Sequence, residues 1–279
     1  MGDNSKIEWT DATWNPVVGC KAVSPGCDHC YAARYASRNL SDTYRGLAED
    51  GVFNGTVRCL PERLDQPLRW KRPRRIFVNS MSDLFHPDVP YDFICRVFAV
   101  MGETEDRHTY QILTKRPHRM RSTLIRPYLS FEDHQTNVIV DLPLSNVWLG
   151  TSIESDEYTF RANHLRATPA AVRFLSLEPL LGPLPSLDLT GIDWVIVGGE
   201  SGPGARPMHG AWVRDIRDRC IDAKIPFLFK QWGEWAPDLA FDAFTGAYLG
   251  EFDDESMTRI GKKAAGRDLD GRTWDEYPT

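Results

Sequence analysis

Three of the six cysteines stand close together, in the pattern Cys20-x6-Cys27-x2-Cys30. Three thiolates so near in sequence can hold a soft metal or a cluster. A closed zinc site takes four ligands. His29 is the candidate fourth, but it is crowded between Cys27 and Cys30. Three cysteines with no evident fourth ligand suit a 4Fe–4S cluster with one iron open to a small molecule; structural zinc and three unrelated thiols are the alternatives. Cys59, Cys95 and Cys220 are scattered. The last two lie in apolar helical contexts, FICRVFAV and IRDRCIDA, where a small buried thiol is expected.

A second set of polar residues follows a series of short apolar runs. Asn79, Ser80, Ser82 and Asp83 follow the first regular run, and Thr114, Lys115 and Arg116 the next. Thr151, Ser152 and Glu154, then Glu178, then Gly198, Gly199 and Glu200, and finally Lys230 and Gln231 complete the set. Any one of them is readily explained as a helix cap or tight turn. Six consecutive run ends carrying charge or hydroxyls point to a site instead. Gly198-Gly199 lets backbone approach a ligand, yet it fits neither a dinucleotide fingerprint nor a P-loop.

The elements that would position these groups follow from periodicity. Strands are expected at 14–20, 75–79, 109–114, 146–151, 172–177, 193–197 and 226–230. Helices are expected at 30–39, 91–101, 117–124, 155–167 and 211–223, with a loop from the first helix to about 75. Short apolar strands alternating with helices imply βαβ units and a parallel sheet. The expected fold is therefore α/β, a partial (β/α) TIM-like barrel of six or seven units over residues 1–232. A doubly wound open sheet is the second choice. Residues 233–279, with Gly, Asp, aromatics and a basic island, read as a hairpin-rich extension packed on the barrel. In such folds the strand carboxyl ends gather the ligand-binding loops.

Composition bounds the rest. The 279 residues carry a net charge of −6, with 42% hydrophobic and 26% charged residues, which excludes a disordered chain. No apolar run reaches the roughly 18 residues of a membrane span. The start MGDNSKIEWTD lacks the basic and apolar regions of a signal peptide, so a cytoplasmic setting and no membrane partner are expected. The acidic balance argues against wholesale coating of nucleic acid. A basic stretch, RWKRPRR at 69–75, together with Lys262, Lys263 and Arg267, could bind phosphates. Trp9, Trp14, Trp70 and Trp232 could stack on bases; a solvated basic face over core tryptophans is the plainer reading.

The segments KIEWTDATWNPVVGC, SPGCDHCYA, VNSMSDLFH, LTKRP, LGTSIE, SLEPLLGP, WVIVGGESGPGARP, FKQWG and KKAAGRDLDGRTWDE resemble the phage-associated three-cysteine-motif family, regarded as similar to radical S-adenosylmethionine (radical SAM) enzymes. The likeness covers essentially the whole chain. The first cysteine gap is six residues where the superfamily usually has three, and His29 stands where an aromatic is usual, near the adenine. The resemblance implies a barrel of radical-SAM type. In it a 4Fe–4S cluster on Cys20, Cys27 and Cys30 binds S-adenosylmethionine and, fed by an external one-electron donor, cleaves it to a 5′-deoxyadenosyl radical. It further implies that Asn79, Ser80, Ser82 and Asp83 hold the methionyl amine and Lys115 or Arg116 its carboxylate. Thr151, Ser152 and Glu154 would meet the ribose, and Gly198 and Gly199 would admit the adenine. Glu178, Glu200 and Lys230 are left for substrate contact or proton transfer. The substrate is unknown, a small molecule, nucleotide or nucleic acid, and a partner protein is a further expectation. The rival reading is a non-catalytic, zinc- or Fe–S-stabilised barrel that binds nucleic acid or a partner protein.

Overall fold

Seven apolar runs form one sheet, and their order decides the fold class. The computed structural model describes residues 5–39, 41–133, 136–241 and 248–279. The first four residues and residues 242–247 of the expected extension lie outside the described residues. The strands are β1 (Ala12–Trp14), β2 (Arg74–Val78), β3 (His108–Thr114), β4 (Val147–Ser152), β5 (Val172–Leu177), β6 (Trp194–Gly198) and β7 (Phe227–Gln231). Each lies beside its predecessor in sequence, and β1–β2, β2–β3, β3–β4 and β6–β7 pair in parallel. A doubly wound sheet reverses its order at a switch point, and here no reversal occurs. The sheet is a curled, partial (β/α) barrel, as expected. An antiparallel hairpin, β8 (Trp235–Phe241) with β9 (Tyr248–Arg259), follows it. No described helix is long and apolar enough to cross a membrane.

The chain divides into two compact units, Met1–Ser152 with Phe160–Leu175, and Ile153–Thr159 with Ser176–Thr279. In the first, α1 (Tyr31–Arg38) lies in the long connection from β1 to β2, α2 (Tyr91–Glu103) joins β2 to β3, and α3 (Pro117–Leu124) follows β3. The helix α2 shows how sequence makes structure here. Pro90 caps it, Asp92 faces its amino end, and Phe93, Ile94, Val97, Phe98 and Met101 at helical spacing are buried. Trp9, Phe77 and Phe174 form a buried, tilted aromatic group, with ring centroids 4.6 Å (Trp9–Phe77) and 6.2 Å (Trp9–Phe174) apart.

In the second unit β6 is buried at every position, and α5 (Gly210–Ala223) buries Val213, Ile216 and Cys220 before ending at Lys224 in the left-handed region. The last residues return to β7. Phe229 N donates to Trp274 O at 3.0 Å, and Leu228 bridges Asp275 in antiparallel fashion. Asp270-Gly271, both at positive φ, turn the chain between Leu269 and Arg272, the arrangement a two-residue hairpin loop requires.

Three expected elements are corrected. The first strand is Ala12–Trp14, not 14–20, because Asn15-Pro16 ends it; Val17–Val18 instead pairs antiparallel with Arg58–Cys59. Its partner strand Arg58–Cys59 and a second ribbon, Ala48–Glu49 with Val52–Phe53, occupy the region expected to be loop. The helix expected at 155–167 is a 3-10 turn, Asp156–Tyr158, and a short α4 (Arg161–Arg166). Asp156 is committed elsewhere: its carboxylate accepts from Ser186 N and Oγ, each at 2.8 Å.

Candidate functional site

In the first unit the ends of β2 and β3 converge on one carboxylate. Asp83, buried, accepts from Thr114 Oγ1 at 2.8 Å, Phe85 N at 2.9 Å, Lys115 N at 3.2 Å and Arg116 Nη1 at 2.9 Å. Arg116 reaches further. Its Nη2 donates to Lys21 O at 2.8 Å and its Nη1 contacts Cys20 Sγ at 3.6 Å. Only 12% of its side chain is exposed. A charged, planar donor so held is fixed in direction, because its carboxylate partner is itself bonded to backbone.

The turn after β2 works inward. Asn79, at positive φ, accepts through its Oδ1 from Val17 N at 3.2 Å; Ser82 Oγ donates to Val17 O at 2.8 Å. Ser80 Oγ and Met81 N donate to Asn15 Oδ1 at 3.2 and 2.9 Å. Asn79, Ser80 and Ser82 therefore brace the 15–19 segment. Asn15 was not among the expected site residues, although its place before Pro16 at a strand end is the sequence signal of such a brace. Tyr31 was missed too. Its hydroxyl donates to Ser80 O at 2.6 Å while the residue is 57% exposed beside the β2 end.

The cysteine loop does not form the expected centre. Among the described residues no group of three or more His, Cys, Asp or Glu side chains is arranged to hold a metal ion. This corrects the expectation of a cluster on Cys20, Cys27 and Cys30. The 4Fe–4S centre, S-adenosylmethionine, radical cleavage and the radical-SAM membership drawn from the resemblance fall with it. So does the zinc alternative, and the one-electron donor loses its role. The side chains serve other contacts. Cys20 lies against Arg116 and Lys21 O; burial pushes its thiol up to about 11, with Asp83 adding to the effect and Arg116 opposing it. Cys30 caps α1 and packs against the apolar cluster of Val18, Ala32, Ala36 and Met81. Burial raises it, against the amides of Ala33 and Ala32 and the Lys115 ammonium. His29 is half-buried between Cys27 and Cys30.

Thr151 and Ser152 end β4 in the first unit. Thr151 Oγ1 donates to Thr114 O at 2.8 Å, and Ser152 O accepts from Arg161 Nη1 at 2.9 Å. In the second unit Glu154 is fully buried, and its carbonyl accepts from Leu181 N at 2.8 Å. Lys230 Nζ meets Glu178 Oε1 at 2.5 Å. A Cβ on Gly198 would lie 3.4 Å from both Glu178 Cδ and Lys230 Cβ, so the pair reaches across β6 at the one residue with no side chain in the way. Gly199 has a different reason: a Cβ there would meet Trp232 O at 1.9 Å. Glu200 is committed to Arg206, taking its N and Nε at 2.9 Å on one oxygen and its Nη2 at 2.7 Å on the other. It anchors a loop.

The expected nucleic-acid contacts are also redistributed. Trp9, Trp14, Trp70 and Trp232 are buried. Trp14 Nε1 donates to Arg63 O and Trp232 Nε1 to Asp268 O, each at 2.7 Å; these rings are core. The 69–75 stretch leads into the start of β2, so it lies at the amino end of that strand and away from its carboxyl end. Within it Arg75 pairs with Asp11 and Arg69 with Asp65, and Arg74 covers Trp70 at 5.1 Å. Arg267 pairs with Asp275.

A family model described as "Protein of unknown function (DUF5131)" matches residues 4–278. No curated protein matches the chain. Among solved structures it is similar to a Cys-to-Ser mutant of spore photoproduct lyase, at 13% identity and a TM-score of 0.42, over 72% of this chain and 58% of that one. It is likewise similar to spore photoproduct lyase complexed with dinucleoside spore photoproduct, at 12% identity and a TM-score of 0.42, over 78% and 63%. The chain thus spans about three fifths of the length of these structures.

Proposed function

Because the chain belongs to this family of unknown function (DUF5131), we propose its function from geometry: it binds a phosphate-bearing small ligand of the nucleotide class at the carboxyl ends of β2 and β3 in the first unit. The observation that carries this reading is the exposed Tyr31, held to Ser80 O by its hydroxyl, in the same neighbourhood as three cations. Lys115 acts on Cys30, the residue before Tyr31. Arg116 is aimed by Asp83, and exposed Lys21 is tied to Arg116 through its carbonyl. A base has a face to stack on and a phosphate has ammonium groups to meet. Asp83 and Arg116 position, whereas Lys21, Lys115 and Tyr31 would touch the ligand. Six free thiols support a cytoplasmic setting.

Calorimetric titration with AMP, inorganic phosphate and a short single-stranded oligonucleotide tests the reading. Saturable binding of AMP is expected. Tyr31→Ala should weaken it by the roughly 1–3 kcal/mol that stacking contributes, and Lys115→Ala should weaken AMP and phosphate alike. Wild-type protein that binds none of the three, or AMP binding untouched by both substitutions, would overturn it. Preference for the oligonucleotide would move the assignment to nucleic acid.

A further inference from the structure

Once the metal centre is set aside, Cys27-Asp28-His29-Cys30 stands as a Cys-x-x-Cys sequence that opens a helix. The amide of Cys30 donates to the carbonyl of Cys27 at 3.3 Å, so the two cysteines close a four-residue turn. Residues that close such a turn have Cα atoms within about 7 Å, and a disulfide spans Cα separations of roughly 4.4–6.8 Å. Cys30 stands at the amino end of α1. Both residues are only half-buried. The third thiol of the loop is held apart, since the Cys20 sulfur lies against Arg116 and the Lys21 carbonyl at 3.6 Å each. Cys95 and Cys220 are sealed in the core.

We propose that Cys27 and Cys30 form a reversible dithiol–disulfide site that exchanges with low-molecular-weight disulfides. The Cys27 thiolate attacks one sulfur of the small disulfide and releases the first small thiol. The Cys30 thiolate then attacks the Cys27 sulfur of the mixed disulfide, forms the intramolecular S–S bond and releases the second. Two protein thiols lose two electrons and two protons, and one small disulfide gains them as two small thiols. Burial raises the Cys30 thiol, and the first-turn amides of Ala33 and Ala32 with Lys115 oppose that rise without cancelling it. The site stands independently of the nucleotide reading.

The test uses the full chain, reduced and then incubated with oxidised glutathione, followed by acid quenching, alkylation after unfolding and peptide mapping. The expected product is one peptide linking Cys27 to Cys30, with Cys59, Cys95 and Cys220 alkylated. It should revert with reduced glutathione in a single two-electron transition. Cys30→Ser should stop at glutathione on Cys27, and Cys27→Ser should take up glutathione at Cys30 roughly tenfold more slowly than wild type takes it at Cys27. Separate glutathione adducts on Cys27 and Cys30 of the wild type, a bond from either to Cys20, or modification no faster than at the half-buried Cys59 would each overturn the proposal. Should a variant fail to fold, the wild-type map decides alone.

Discussion

At the scale of single residues the chain commits its charges in pairs before any ligand arrives. Asp83 shows the logic: four donors from two chain segments converge on it, and Arg116 is nearly enclosed. Removing one partner of a buried pair leaves the other charge without compensation, which costs more than the pair itself contributes. Asp83→Ala is therefore expected to destabilise the protein by about 3–5 kcal/mol in urea unfolding, and Asp83→Leu with Arg116→Met to recover a large part of that loss. Equal loss in the single and double variants would show that Asp83 acts through its backbone bonds and not through Arg116. Glu178 with Lys230 and Glu200 with Arg206 follow the same plan in the second unit. Residue type alone revealed that these groups are placed at strand ends. It did not reveal their partners, because Asn15, Lys21 and Arg206 come from other segments or from a loop without a pattern.

At the scale of elements, what could be read from the sequence was whatever repeats. Strands with β-branched or aromatic runs and the long amphipathic helices lie within a residue or two of their expected ends, β5 at both ends. Elements defined by long-range pairing were not legible. Tyr128–Asp133 pairs with Thr136–Asp141, yet the two residues between them, His134 and Gln135, are not turn formers by type. The cysteine loop failed for a related reason: spacing puts three thiols near one another in sequence but does not set where each sulfur points. Packing between neighbouring strands offers a sharper test. A Cβ on Gly150 of β4 would lie 2.4 Å from the Phe174 ring of β5, so the glycine makes room for that ring. Gly150→Ala is expected to cost roughly 1–3 kcal/mol, and Phe174→Leu a cavity penalty of similar order. The two together should cost less than their sum, since the smaller side chain vacates the space the methyl needs. Strict additivity in denaturant unfolding would show that the clash is relieved elsewhere.

At the scale of the whole molecule the titratable groups divide stability into two pH windows. Burial lowers His86, His108 and His164 from their ordinary 6.5, with Arg116 adding to the effect at His86 and His118 at His164. For His108 the Pro67 carbonyl opposes the shift without cancelling it. Each folded imidazole thus refuses a proton that the unfolded chain accepts just below pH 6.5. Stability is full above that value and declines as the pH falls through it. The second window is acidic. At Asp11 and Asp270 burial works against the charged form, but Arg75 in one case and Arg214 with Arg217 in the other outweigh it, so both carboxyls lie below their ordinary 3.8. Their contribution is complete above 3.8 and is lost as the pH drops below it toward the folded values. Both carboxylates are partly exposed, so this second loss is screened by salt, whereas the first comes from desolvation and is not. Urea unfolding from about pH 7.5 to about pH 5 should therefore show a decline insensitive to added salt, and His108→Gln should flatten it. A further decline below pH 3.8 should shrink in high salt, and Asp270→Asn, which keeps a residue tolerant of positive φ at the turn, should remove part of it. Stability that stays level or rises as the pH falls from 7.5 to 5 would mean that the three imidazoles are as free to protonate in the folded chain as in the unfolded one.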